Sequence, residues 1–206
     1  MSTDWLTRAL EESRARGYLG PGPLEPQIDH SRGFVAAWDQ FSSNSPTRFL
    51  DLGSGGGLPG LWLLCEWSTP GVLLDSMHKR TAFLSEVLGW DGAPTNGTVV
   101  TGRAEELARD PDLEGSFELV TARLFGPPAV TVECAVRFVA VGGVIIVSEP
   151  PQANEHRWPE AALAALGVRS RGRIREGASF QLLEKVRPTP VEFPRKNGTP
   201  RKQPLF

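Results

Sequence analysis

At 206 residues, with 40% hydrophobic and 22% charged residues, the chain has the length and composition of one globular domain with its own core. Cys65 and Cys134 stand alone without Cys-x-x-Cys spacing, which excludes a cysteine metal cluster and fits a reducing, cytoplasmic setting. The net charge of −2 conceals an asymmetry, because residues 169–206 hold ten Lys/Arg against three Asp/Glu. An acidic body with a basic end suits a polyanionic partner. The opening Met-Ser-Thr-Asp-Trp-Leu has no basic-then-apolar signal pattern, and no apolar run approaches the ~20 residues of a membrane span, so a soluble protein is expected.

Residues 4–16 read as an amphipathic helix with Trp5, Leu6, Ala9 and Leu10 on one face. Residues 17–26 hold three glycines and three prolines and read as a loop. Ser31 is the expected cap of a second helix bearing Phe34, Val35, Trp38 and Phe41. These elements form an expected N-terminal helical extension, residues 1–46, ahead of a main domain over 47–187 and a Pro-rich basic tail from 188 to 206.

Within the main domain, short apolar runs alternate with helical stretches. Strands are predicted over 48–52, 72–75, 98–101, 117–121 and 143–148, with helices over 58–66, 79–88 and 126–138 between them. A helix over 158–166 then leads to two polar strands near 168–175 and 179–187, close enough to form a hairpin. Such alternation predicts an α/β fold, a mostly parallel seven-stranded sheet with helices on both faces.

The most informative stretch is Phe49-Leu-Asp-Leu-Gly-Ser-Gly-Gly-Gly-Leu-Pro-Gly60, a strand end, a glycine turn and a helix start. Glycine admits the positive φ angles and close backbone approach that such a turn needs. The literal G-x-G-x-x-G at Gly55, Gly57 and Gly60 permits a dinucleotide, but no residues remain for a separate substrate domain. Asp51 inside the motif disfavours a diphosphate and favours a ligand with an ammonium group, namely S-adenosylmethionine. Asp75 ends the next strand, 22 residues past Gly53, where an acid would hold ribose hydroxyls. Gly102-Arg-Ala-Glu105 follows the third strand at the ligand-binding edge of an open sheet, with Ala104 and Glu105 as expected adenine contacts. Arg123 ends the fourth strand, where a substrate-facing group is expected. His30, His78 and His156 form no catalytic cluster, and no metal site is expected.

Taken together, these residues resemble the glucose-inhibited division protein B family, bacterial methyltransferases that form 7-methylguanosine in small-subunit ribosomal RNA. The resemblance runs through Asp51–Gly60, Leu74-Asp-Ser76, Lys79-Arg80-x-x-Phe83-Leu84, Arg103-Ala-Glu105, Thr121-Ala-Arg123 and Gly142-Gly143. Its most specific part is the ending, Leu183-Glu-Lys-Val-Arg-Pro-Thr-Pro190 and Phe193-Pro-Arg-Lys-Asn-Gly-Thr-Pro-Arg-Lys-Gln-Pro-Leu205. The resemblance implies a Rossmann-like class I methyltransferase fold with S-adenosylmethionine as donor and S-adenosylhomocysteine as product. It implies cofactor contacts at Gly53, Leu58, Ala104, Glu105 and Arg123. With the motif residues the expected cofactor site also takes in Asp51, Ser54, Gly55, Gly57, Asp75 and Ser76. Arg195, Lys196, Arg201 and Lys202 are implied as a phosphate-contacting arm, Arg123 as a positioning group, and a monomer acting on ribosomal RNA or the ribosomal particle. Where members commonly carry Lys-Gly after the fifth strand, this chain has Ser148-Glu149-Pro150-Pro151, an anion expected to repel phosphate. Methylation of a small molecule or another RNA, and a non-catalytic binding module, stay open as alternatives.

Overall fold

The computed structural model describes residues 3–152 and 155–206. Seven strands make one sheet in the order β3-β2-β1-β4-β5-β7-β6. They are β1 (Phe49–Leu52), β2 (Gly71–Asp75), β3 (Gly97–Thr101), β4 (Phe117–Ala122), β5 (Val139–Glu149), β6 (Val168–Glu176) and β7 (Ala178–Lys185). The first five pair in parallel, while β7 enters antiparallel between β5 and β6. The mostly parallel α/β sheet read from the sequence is therefore present. The order reverses direction between β1 and β4, which places a crevice at the carboxyl ends of these strands.

Both faces are covered, as buried parallel strands require. Side chains alternate across a strand, so Leu50 and Leu52 face one helical layer and Phe49 faces the other. The first layer contains α5 (Ala104–Leu107), α6 (Pro128–Ala135) and α7 (Glu160–Ala165). The second contains α1 (Thr3–Ala15), α2 (Glu25–Asp39), α3 (Gly60–Glu66) and α4 (His78–Leu88). A short α8 (Thr199–Lys202) closes the chain. No helix among the described residues is long and apolar enough to cross a membrane.

Two sequence expectations shift. Ser31 does not cap α2; it is buried inside the helix and its hydroxyl donates to Gln27 O at 3.0 Å. The helix starts seven residues earlier, after Leu24, with Pro26 in its first turn where a missing N–H is harmless. The strand predicted over 143–148 instead begins at Val139, and Gly142-Gly143 lie in a bulge within β5. Val139 pairs with Phe117 and Val144 with Leu119, and a Cβ on Gly143 would sit 2.6 Å from Glu118 O.

The N-terminal helices support the glycine turn from behind. Trp5 Nε1 donates to Val87 O at 2.8 Å, and Arg16 reaches Glu86 on α4. Ser13 Oγ donates to Gly56 O at 2.7 Å, and a Cβ on Gly56 would meet Tyr18 O at 2.6 Å. At the other end, the segment after β7 does not trail away. Phe193, Leu205 and Phe206 pack against the first layer, and Arg137 donates to Phe193 O and Pro190 O at 2.6 and 2.8 Å.

Candidate functional site

The glycine turn has a left-handed backbone at every second residue: Gly53, Gly55 and Gly57 have φ of 75°, 53° and 108°. That alternation accounts for the spacing, because L side chains strain there. Gly53 N and Ser54 N donate to Leu74 O at 2.8 and 3.0 Å, tying the turn to the end of β2. Asp75 completes the tie: its carboxylate accepts from Gly55 N at 2.9 Å and Met77 N at 2.8 Å, with Arg80 Nη1 at 3.5 Å.

Asp51 lies underneath, 1% exposed, and is not in the wall of the crevice. It accepts from Gly60 N at 3.0 Å and from Thr121 Oγ1 at 2.9 Å. A Cβ on Gly60 would lie 2.6 Å from its Oδ2 and 2.3 Å from Leu73, so only glycine lets the start of α3 come this close. Burial pushes the Asp51 carboxyl up to about 6 against its hydrogen bonds and the Arg123 charge, which hold it down. The expected direct contact between Asp51 and a ligand amino group is thus corrected to a buried brace joining β1, α3 and β4.

A cavity of about 380 Å³ opens at the carboxyl ends of β1 to β4. Its wall includes Gly53, Asp75, Ser76, Ala104 and Glu105, five of the residues expected from the sequence. Ser54, Gly55, Gly57 and Leu58 do not line it. Leu58 is buried in the second helical layer, and a Cβ on Gly57 would strike Leu61 at 2.5 Å, so that glycine serves helix packing. Arg123 also stands outside the wall. It is half-buried, makes no hydrogen bond among the described residues, and lies within electrostatic reach of Asp51 and His30.

Several wall residues were not singled out as contacts in the sequence. Arg80 and Arg103 bring cations, Leu124 and Phe125 follow β4, and Val130 and Cys134 come from α6. Leu124 is 91% exposed and holds a left-handed φ of 55°, an unusual backbone for leucine. Phe125 lies against the turn, since a Cβ on Gly53 would come within 2.7 Å of its ring. Burial pushes the Cys134 thiol well up, so this wall position is a neutral thiol.

The basic ending also changes meaning. Arg201 lines the cavity, and Lys196 and Lys202 are exposed. Arg195 spends its Nε and Nη2 on the fully buried Glu133, at 2.8 and 2.7 Å. Glu149, expected to repel phosphate, is neutralised by Arg157 at 2.9 Å and Arg173 at 3.5 Å. His30 packs against Phe34 and Phe180, and burial lowers it to about 4, leaving it neutral at pH 7. No group of His, Cys, Asp and Glu suited to a metal occurs among the described residues.

The family model for rRNA small subunit methyltransferase G, GidB, matches residues 31–167. The chain belongs to this family. Ribosomal RNA small subunit methyltransferase G of Symbiobacterium thermophilum is 36% identical over 199 residues, covering 89% of this chain and 80% of the relative. The Leuconostoc mesenteroides protein of that name is 31% identical, covering 83% and 74%. A putative O-methyltransferase from Klebsiella pneumoniae has the same fold at a TM-score of 0.62 and 16% identity, covering 91% of this chain and 92% of its own. A SAM-dependent methyltransferase from Aquifex aeolicus superposes at 0.60 with 12% identity, covering 84% and 96%. The GidB family match ends before β6, so the ending that carried so much of the resemblance in the sequence lies outside it.

Proposed function

We propose that the protein transfers a methyl group from S-adenosylmethionine to a guanine nitrogen-7 in small-subunit ribosomal RNA. The observation that carries this reading is the cavity at the carboxyl ends of β1 to β4, with Asp75 at its edge, in a chain of this family. Asp75 spends one acceptor site of each carboxylate oxygen on Gly55 N and Met77 N, leaving further lone pairs for ribose hydroxyls. Leu74, Val130 and the neutral Cys134 offer an apolar slot for a base, while backbone at Gly53 and Gly102 admits close approach. These residues fit the donor. When bound, it supplies an electrophilic methyl carbon on a sulfonium.

Guanine nitrogen-7 carries its lone pair in the neutral base, so no residue has to remove a proton first. What the protein supplies is alignment, which is worth up to ~7–11 kcal/mol of barrier in favourable systems. The substrate side is assigned to Arg123, held half-buried at the end of β4 beside Leu124 on the rim. With Glu149 neutralised, this region keeps a cationic surplus that suits an RNA strand.

Arg123→Ala is expected to lower kcat on RNA by about a hundredfold, with the dissociation constant of S-adenosylhomocysteine changed less than fivefold because the residue stands off the donor cavity. A large loss of S-adenosylhomocysteine affinity would instead place Arg123 on the donor. The reading as a whole is tested with labelled S-adenosylmethionine and small ribosomal subunits lacking the modification, followed by mapping of the labelled base. One 7-methylguanosine in the small-subunit RNA is expected. Donor binding with RNA inert and a metabolite methylated would overturn it.

A further inference from the structure

The segment from Pro194 to Gln203 is held as a hook across one side of the cavity, and its anchoring is not that of a loose RNA arm. Glu133 is a fully buried carboxylate on α6, and among the described residues every hydrogen-bond partner of its charge comes from the hook: Arg195 N at 2.9 Å, Nε at 2.8 Å and Nη2 at 2.7 Å. A buried carboxylate is costly unless paired, so α6 is strongly bound to this segment. Arg195 Nη2 also donates to Gln203 O at 2.8 Å, closing the hook on itself. At the tip, Gly198 has a left-handed φ of 78° and its N–H donates to Glu105 Oε1 at 3.0 Å. Asn197 bridges Glu106 at 3.0 Å and Arg103 at 3.1 Å.

These anchors grip the two elements that form one end of the donor cavity. Glu105 belongs to that wall, and Val130 and Cys134 on α6 flank Glu133 in sequence. Arg201, on α8, is thereby brought to the same wall. An arm built only to meet phosphate would keep its guanidiniums in solvent; here one neutralises a buried acid and another borders the cavity.

We propose that the hook is a working part of the donor site, with Arg201 contacting the nucleoside end of the bound donor and Glu133 and Glu105 acting as positioning residues. Arg201 offers a planar cation able to stack on a base or donate to its acceptors. Glu133 acts through Arg195, and Glu105 through Gly198. The inference rests on S-adenosylmethionine as donor and deepens that reading by making donor affinity depend on a segment the RNA reading alone leaves outside the site.

The test is binding of S-adenosylhomocysteine to the full chain without RNA. Arg201→Ala and Glu133→Gln are each expected to weaken it by roughly tenfold or more, the scale of a lost charge-assisted hydrogen bond. A second measurement uses the wild type alone: trypsin cleavage after Lys196, Arg201 and Lys202 is expected to slow at least about fivefold with saturating S-adenosylhomocysteine, because the ligand holds the hook closed. Binding by both variants within twofold of the wild type, or cleavage indifferent to the ligand, would overturn the inference and leave the donor assignment standing. No binding by the wild type would overturn the donor assignment and this inference with it.

Discussion

Asp75→Ala is expected to weaken S-adenosylhomocysteine binding by at least about a hundredfold, or roughly 2.7 kcal/mol. Three losses coincide at this residue. Gly55 N and Met77 N lose their acceptor, so the turn and the start of α4 are no longer tied together. Arg80 loses the only carboxylate paired with it among the described residues, leaving a cation on the cavity wall. The lone pairs proposed for the ribose hydroxyls disappear as well. Each unsatisfied amide costs on the order of 1–3 kcal/mol of stability, while the lost ribose acceptors and the loosened turn carry the expected fall in affinity. Titration calorimetry checks it, with a retained cooperative melt showing that the sheet survives. A loss smaller than about fivefold would remove Asp75 from the site.

The second large effect concerns stability and pH. In the folded chain the Asp51 carboxyl is raised from 3.8 to about 6 by burial, while the unfolded chain keeps the ordinary value. Between those two pH values the native state holds the proton more tightly. Stability from this group is therefore fully present below about 4 and falls as pH rises to about 6, by up to about 3 kcal/mol in total. Asp51→Asn keeps the shape and an acceptor for Gly60 N, and the Thr121 hydroxyl can turn to accept from the amide. The variant is expected to lack this downward step, so that it gains on the wild type between pH 4.5 and 7.5. Urea unfolding at the two pH values measures the difference. Parallel pH profiles for the two proteins would contradict the placement of a strained charge at Asp51.

Much of the frame was legible because it depends on local pattern. Runs such as Val72–Asp75 and Phe117–Thr121 are short, apolar and separated by helical periods, and each lies within or at a strand that formed. The glycine spacing was legible for the same reason, since a left-handed residue at every second position is a backbone requirement. Ser31 misled because a serine ahead of an apolar stripe looks like a cap, whereas Pro26 was the better signal for the start of α2. Asp51 was correctly singled out, but its role depends on how closely α3 approaches, which the missing Cβ at Gly60 decides. Val130 and Cys134 had no local signal at all, and Arg201 was singled out for an RNA arm rather than for the cavity wall. They meet only because Glu133 and Arg195, 62 residues apart, pair across the first helical layer.

The excess of arginine near the end of the chain has a consequence unrelated to RNA. Four of those arginines, at 169, 171, 173 and 175, lie on β6, a nine-residue strand at the outer edge of the sheet. Its free side presents unpaired backbone groups to any strand of another molecule that approaches. Arg169, Arg171 and Arg175 are exposed there, and Glu184 on β7 receives both Arg169 and Arg171. Two like-charged edges brought together would repel before their backbones could pair. Part of the positive charge thus acts as a guard against strand-to-strand association, keeping the longest open edge of the sheet from recruiting a copy of itself.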